Sequence, residues 1–196
     1  MIKKVFILII FLILTRKTYN QIYPVSTYTQ TIPPYPASLD GYVSQPINKI
    51  NLRITVNDAT LINYPVKLRM TLKSNKVIIT TSSNNRIEPI YINGGETIIL
   101  TSEELREYFN LENLDFYGYS KAQYVRNGQL PDGVYQLYFE VLDYYRNFVI
   151  SSNTPSYLYI YVNDPPILNT PGNKSVVEIT GQQNIMFSWA FRHSVF

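Results

Sequence analysis

The sequence predicts an all-β protein, a sandwich of two stacked sheets with one short helix. Three observations predict it. Tyr is abundant, at 18 residues, and Ile and Asn recur throughout; β-branched and aromatic side chains fit a pleated, half-buried surface. Several segments alternate apolar and polar residues with period 2, as strands with one wet face do. Turn-forming residues such as Ser74-Asn75, Gly94-Gly95 and Pro131-Asp-Gly133 punctuate these segments.

Size and charge bound the rest. At 196 residues there is room for one ordinary core and a piece of another. Apolar residues make up 45% of the chain and charged residues 16%, so burial is ample and global disorder is excluded. The formal charge of +3 owes four of its cations to Lys3, Lys4, Arg16 and Lys17; without them 13 basic residues face 14 acidic ones. Such a near-neutral domain has no electrostatic footprint for nucleic acid. The absence of Cys excludes disulfides, thiolate nucleophiles and zinc ribbons.

The elements follow in order. Met1-Ile-Lys-Lys4 precedes an uninterrupted apolar run, Val5 to Leu14. The run is too short for a membrane anchor, which takes ~20 residues, and matches the apolar region of a secretory signal. Residues 1–20 are therefore expected to be a signal peptide cut near Asn20/Gln21. The mature chain would then be extracellular, on the outer cell surface or periplasmic, without a transmembrane span. Residues 21–48 hold Pro33, Pro34 and Pro36, which an interior strand does not tolerate. They predict an extended lead-in along a sheet edge.

Residues 49–164 predict the sandwich itself. Asn51 to Val56 turns Leu52, Ile54 and Val56 to one side, and Val66 to Lys73 does the same with Val66, Leu68, Met70 and Leu72. Lys76 to Thr81 reads as a hairpin partner, and Ile87 to Asn93 and Glu96 to Leu100 as short strands. Thr101-Ser-Glu-Glu104 is a capping box that predicts a helix, with Leu105, Tyr108 and Phe109 on one face. Val134 to Leu142 buries Tyr135, Leu137, Phe139 and Val141; Phe148 to Ser151 and Ser156 to Val162 complete the set. Short strands with turns at this spacing predict an immunoglobulin or fibronectin type III-like sandwich. Asp164-Pro-Pro166 reads as a domain boundary. Residues 165–196, with strands at Ser175 to Thr180 and Asn184 to Phe191, read as the truncated start of a second sandwich, and the chain as a fragment.

From Tyr23 onward a series of short motifs runs Ile32-Pro-Pro-Tyr35, Leu39-Asp-Gly-Tyr42, Tyr64-Pro-Val-Lys-Leu-Arg-Met70 and Pro89-Ile-Tyr-Ile-Asn-Gly-Gly95. It continues with Leu130-Pro-Asp-Gly-Val-Tyr135, Phe139-Glu-Val-Leu-Asp143, Asp164-Pro-Pro-Ile-Leu-Asn169 and Phe187-Ser-Trp189. In their order and spacing these motifs resemble the TANFOR-type domain of large secreted or surface proteins of Bacteroidetes. The last segment also resembles the opening of a fibronectin type III-like repeat. The resemblance implies a long exported chain of tandem sandwiches and brings no catalytic residue with it.

Chemistry is sparse. His193, the only histidine, stands near the end of the chain, a poor place for the base of a triad. Glu103-Glu104 suit a helix start, and Glu140 and Asp143 share one strand, so no pair stands out as a glycosidase dyad. Asn57-Asp58 and Asn163-Asp164 offer oxygen ligands for calcium, although such residues also simply form turns. No enzyme activity and no cofactor are expected. The tyrosines are the candidate contacts: Tyr117, Tyr119 and Tyr124 in one loop, and Tyr157, Tyr159 and Tyr161 along one strand. Amphipathic rings suit glycan or protein partners; an edge strand shielded by Tyr, or packed against the lead-in, accounts for them as well. The expected function is a non-catalytic scaffold module of an exported surface protein, partnered by other domains of that chain. The alternative is an adhesin module that binds a surface protein or glycan through its tyrosines.

Overall fold

A computed structural model describes residues 23–44, 46, 48–161, 167–172, 174, 176 and 186–190. The expected signal peptide, Asn163-Asp164 and His193 lie outside the described residues. The strands are β1 (Val25–Thr31), β2 (Ile50–Val56), β3 (Tyr64–Lys73), β4 (Ile78–Thr81), β5 (Ile90–Ile92), β6 (Thr97–Leu100), β7 (Leu114–Tyr117), β8 (Gly133–Asp143), β9 (Ser151–Thr154) and β10 (Ser156–Ile160). One sheet has the order β6-β2-β1-β9; the other runs β10-β8-β3-β4-β7, with β5 also paired to β3.

The period-2 rows become the core. Ile50, Leu52, Ile54 and Val56 of β2 meet Val66, Leu68, Met70 and Leu72 of β3 and Tyr135, Leu137, Phe139 and Val141 of β8, none more than 2% exposed. Leu158 and Ile160 of β10 join them. Full burial stabilises each such side chain by roughly 1.5–3 kcal/mol relative to exposure. The turn Pro131-Asp-Gly133 is tied by the Tyr135 hydroxyl, which donates to the Pro131 carbonyl at 2.8 Å. This is the tyrosine corner of sandwich folds.

The lead-in expected over 21–48 is corrected in its first part. Val25–Thr31 is an interior strand, antiparallel to β2 and parallel to β9, so the sandwich begins at β1 and not at residue 49. Its inward positions are Val25, Thr27, Thr29 and Thr31. The Thr27 hydroxyl donates to the Phe139 carbonyl of the facing sheet at 2.6 Å, and Thr31 and Ser156 share a 2.6 Å hydroxyl contact. Only Pro155 separates β9 from β10, and there the chain crosses from one sheet to the other. The Val141 N–H donates to Ser151 Oγ at 2.8 Å and the Ile150 N–H to the Val141 carbonyl at 2.9 Å. That edge of the sandwich is thereby sewn shut.

The helix expected after Thr101 is also corrected. Half of the expected capping box forms: the Thr101 N–H donates to Glu104 Oε2 at 2.6 Å, but the Thr101 hydroxyl also donates to that carboxylate and does not accept from the Glu104 N–H. Yet only turns and a 3-10 segment, Arg106–Phe109, follow, because Asn110 is extended at φ −67° and ψ 127°. The α-helix is instead α1 (Lys121–Asn127), capped by the Ser120/Gln123 box and ended by left-handed Gly128. Leu105, Tyr108 and Phe109 still share a buried side. Tyr42 stacks on Phe109 at 6.0 Å, and Tyr108 meets Phe139 edge-on at 6.1 Å. Together with Leu39, Leu130 and Tyr124 these residues plug one end of the sandwich.

Beyond residue 161, β11 (Ile167–Thr170) pairs antiparallel with β12 (Ser188–Ala190). β12 falls within the strand expected over 184–191. The partner expected for it, Ser175 to Thr180, lies outside the described residues except for Val176. Phe187 and Trp189 are 57% and 54% exposed.

Candidate binding face

The tyrosines expected to contact a ligand divide by sheet geometry. Tyr124 is corrected to a core residue: it sits on α1, is 6% exposed, and its hydroxyl accepts from the Leu39 N–H at 2.8 Å. Burial raises its pKa above the ordinary tyrosine value. Tyr119 is half-buried; its hydroxyl donates to the Gln129 carbonyl at 3.2 Å and accepts from Asn127 at 3.0 Å. Both belong to the scaffold.

The remaining four are exposed: Tyr117, Tyr157, Tyr159 and Tyr161 at 56%, 50%, 54% and 57%. Strand register brings two of them, 40 residues apart in sequence, into one line. Tyr157 lies opposite Gln136, Gln136 opposite Lys73, Lys73 opposite Ile78, and Ile78 opposite Tyr117. The row crosses five of the six strands of this sheet, and at about 4.8 Å per strand Tyr157 and Tyr117 stand ~19 Å apart. Gln136 Nε2 donates to the Tyr157 hydroxyl at 3.5 Å. Tyr159 lies one pleat further along, opposite Val134, its ring 6.4 Å from that of Tyr35.

A second outward row runs beside the first, from Tyr138 through Thr71 and Thr80 to Asp115. Arg69 forks onto Glu140, with Nη2 and Nε each 2.8 Å from Oε2. Lys67 lies over the Tyr144 ring at 6.0 Å. Lys73 is exposed and forms no ion pair among the described residues. At the Tyr117 end the face opens into a shallow hollow of about 370 Å³, lined by Lys67, Arg69, Thr80, Ser82, Asp115 and Tyr117 among others.

Carboxylates elsewhere serve the fold. Asp58 accepts from the Thr60 N–H at 2.9 Å and from its hydroxyl at 2.7 Å. Those bonds, the hydroxyl's foremost, lower its pKa; it forms the turn after β2. Asp143 accepts from the Tyr64 hydroxyl and from the Tyr145 and Arg146 N–H groups at 3.0 and 2.5 Å. The Tyr64 hydroxyl above all holds its carboxyl below the usual range. Among the described residues no group of three His, Asp or Glu is placed to hold a metal ion, and no helix is long and apolar enough to cross a membrane.

The pairing of Tyr117 with Tyr157 was not readable from spacing, since it depends on three intervening strands whose register only the folded sheet defines. In comparisons with known proteins, no family model, no curated protein and no solved structure matches this chain.

Proposed function

We propose that this chain is a non-catalytic, load-bearing scaffold module of an exported cell-surface protein. One observation carries the reading: β1 and β9 run parallel and side by side, and β10 continues in the same direction after Pro155. The chain therefore enters the sandwich at one pole and leaves near the other. Pulling the two ends apart loads the β1–β9 ladder, Val25↔Ser151 through Tyr28↔Thr154, along the strands. Its hydrogen bonds must then yield together, which resists force better than opening them one at a time. The resemblance to TANFOR-type modules supports the same reading, because a tandem exported chain needs modules threaded end to end.

Single-molecule pulling tests it. The chain lacks Cys, so handles can be attached at Tyr23→Cys and Tyr161→Cys, or for comparison at Tyr23→Cys and Tyr145→Cys, which lie at one pole and peel β1 from β9 one bond at a time. The terminal pair, which shears that ladder, should unfold at a distinctly higher force. Equal forces, or a weaker terminal geometry, would refute the load-bearing role.

A second reading, an adhesin module that binds through its tyrosines, is favoured by the alignment of Tyr117 and Tyr157 in one outward row.

A further inference from the structure

We infer that the outward face of the six-stranded sheet is a binding platform for an extended glycan that carries carboxylates, of the 4-linked uronate type. The inference rests on the second reading above and gives its ligand a chemical class.

The row sets out five positions in the order Tyr157, Gln136, Lys73, Ile78, Tyr117. Strands repeat every ~4.8 Å, close to the length of one sugar in a flat 4-linked chain. A glycan laid across the strands would thus place about one ring over each side chain. Tyrosine faces carry negative π-density that attracts the C–H faces of sugars, and the phenol hydroxyls remain free to hydrogen-bond. The second row supplies hydroxyl partners in Tyr138 and Thr80, and the Tyr117 end leads into the hollow beside Lys67 and Arg69.

Charge selects among partners. Lys73 stands at the centre of the row, exposed and without an ion pair among the described residues. Protein interfaces have apolar centres depleted in Lys, so a cation at the midpoint argues against a protein partner. Arg69 is already engaged by Glu140, which leaves Lys73 as the unpaired charge of the row. One unpaired cation in five positions suits a chain with carboxylates rather than a densely sulfated one, which calls for clustered bases. Across the outward rows of β3, β8 and β7, Lys67, Arg69 and Lys73 stand against Glu140 and Asp115, an excess of one cation.

Calorimetric titration of the full mature chain with mannuronate oligosaccharides that span the row, and with cello-oligosaccharides of equal length, tests the inference. Mannuronate should bind more tightly, and added salt should weaken it. Tyr117→Ala, Tyr157→Ala and Lys73→Glu should each lower that affinity about tenfold, with unfolding midpoints unchanged because all three side chains are on the surface. If cello-oligosaccharides bind equally well, lose affinity in both tyrosine variants and ignore Lys73→Glu, the carboxylate inference is overturned while the tyrosine-face reading stands. If neither oligosaccharide binds, or if both tyrosine variants bind as the parent does, both fall.

Discussion

Tyr42 offers the sharpest test of the packing at the plugged end. Its side chain is 1% exposed and stacks on Phe109, yet its hydroxyl is buried with no hydrogen-bond partner among the described residues. A buried unsatisfied hydroxyl costs about 1–3 kcal/mol. Tyr42→Phe removes the hydroxyl and keeps the ring, so it should stabilise the fold by about 1 kcal/mol. In urea that is a midpoint shift of about +0.5 M with unchanged slope, and in heat a rise of about 2–4 °C. Tyr124→Phe is the control of opposite sign: it strips the acceptor from the buried Leu39 N–H and should cost about 1 kcal/mol. Alkaline pH supplies a second signature. Burial foremost, with Tyr35 and Tyr135 adding to it, raises the Tyr42 pKa well above its ordinary value. Its contribution is complete below the unfolded pKa near ~10 and is lost as pH climbs from there through the folded value. Tyr42→Phe should therefore flatten the alkaline decline of stability, leaving the share due to the other tyrosines whose pKa is raised, Tyr124 and Tyr135 among them and Tyr108, which burial pushes up to about 12. A Tyr42→Phe protein less stable than its parent, or with the same alkaline decline, would refute this account of the site.

Three further outcomes follow from local geometry. Asp143 has a lowered pKa, chiefly through Tyr64, so its contribution is present above the unfolded value of ~3.9 and is lost as pH falls through the folded one. Asp143→Asn should make the acid decline in urea midpoint shallower; an unaltered decline would show that the cluster does not govern it. Gly118 combines φ +76° with a Cβ site 2.0 Å from the Lys76 carbonyl, whereas Gly95 has φ +79° in open space. Gly118→Ala should thus cost at least ~2 kcal/mol and Gly95→Ala about 1 kcal/mol, and equal losses in denaturant titrations would contradict the close approach. Ser120→Ala removes the acceptor that caps α1 and should cost ~1 kcal/mol, read as a lowered thermal midpoint.

What was legible in the sequence follows from which interactions are local. The rows of β2, β3 and β8 announce themselves because every inward residue is apolar and every second position repeats. β1 hides because three of its four inward positions are Thr. Two of them, Thr27 and Thr31, reach partners more than a hundred residues away, the Phe139 carbonyl and the Ser156 hydroxyl. The helix error has a comparable origin. Ser120/Gln123 forms both bonds of a capping box, whereas at Thr101 the hydroxyl and the N–H both donate to the Glu104 carboxylate and the hydroxyl does not accept from the Glu104 N–H. After Thr101 the chain must deliver Leu105, Tyr108 and Phe109 into the plug and then turn at Asn110 into β7. After Ser120 nothing but Tyr124 needs burial, so the helix runs on to its Gly128 cap without the apolar periodicity that would have revealed it.

The tyrosines show the same division at the level of function. Composition identified them as the unusual feature, but identical side chains ended as core, scaffold and surface according to pleat parity and register. The crossing at Pro155 then joins the two proposed roles in one covalent segment: β9 holds the load-bearing ladder with β1, and β10 immediately after it carries Tyr157 and Tyr159. A tensile load that shears β9 from β1 must pass through Pro155 into β10, whose ladder to β8 holds the Tyr157 end of the row in register. On the proposed reading the tyrosine row is thus anchored to the strand pair that would bear the force, and a glycan held across β10, β8, β3, β4 and β7 would tie edge strand β10 to the centre of its sheet.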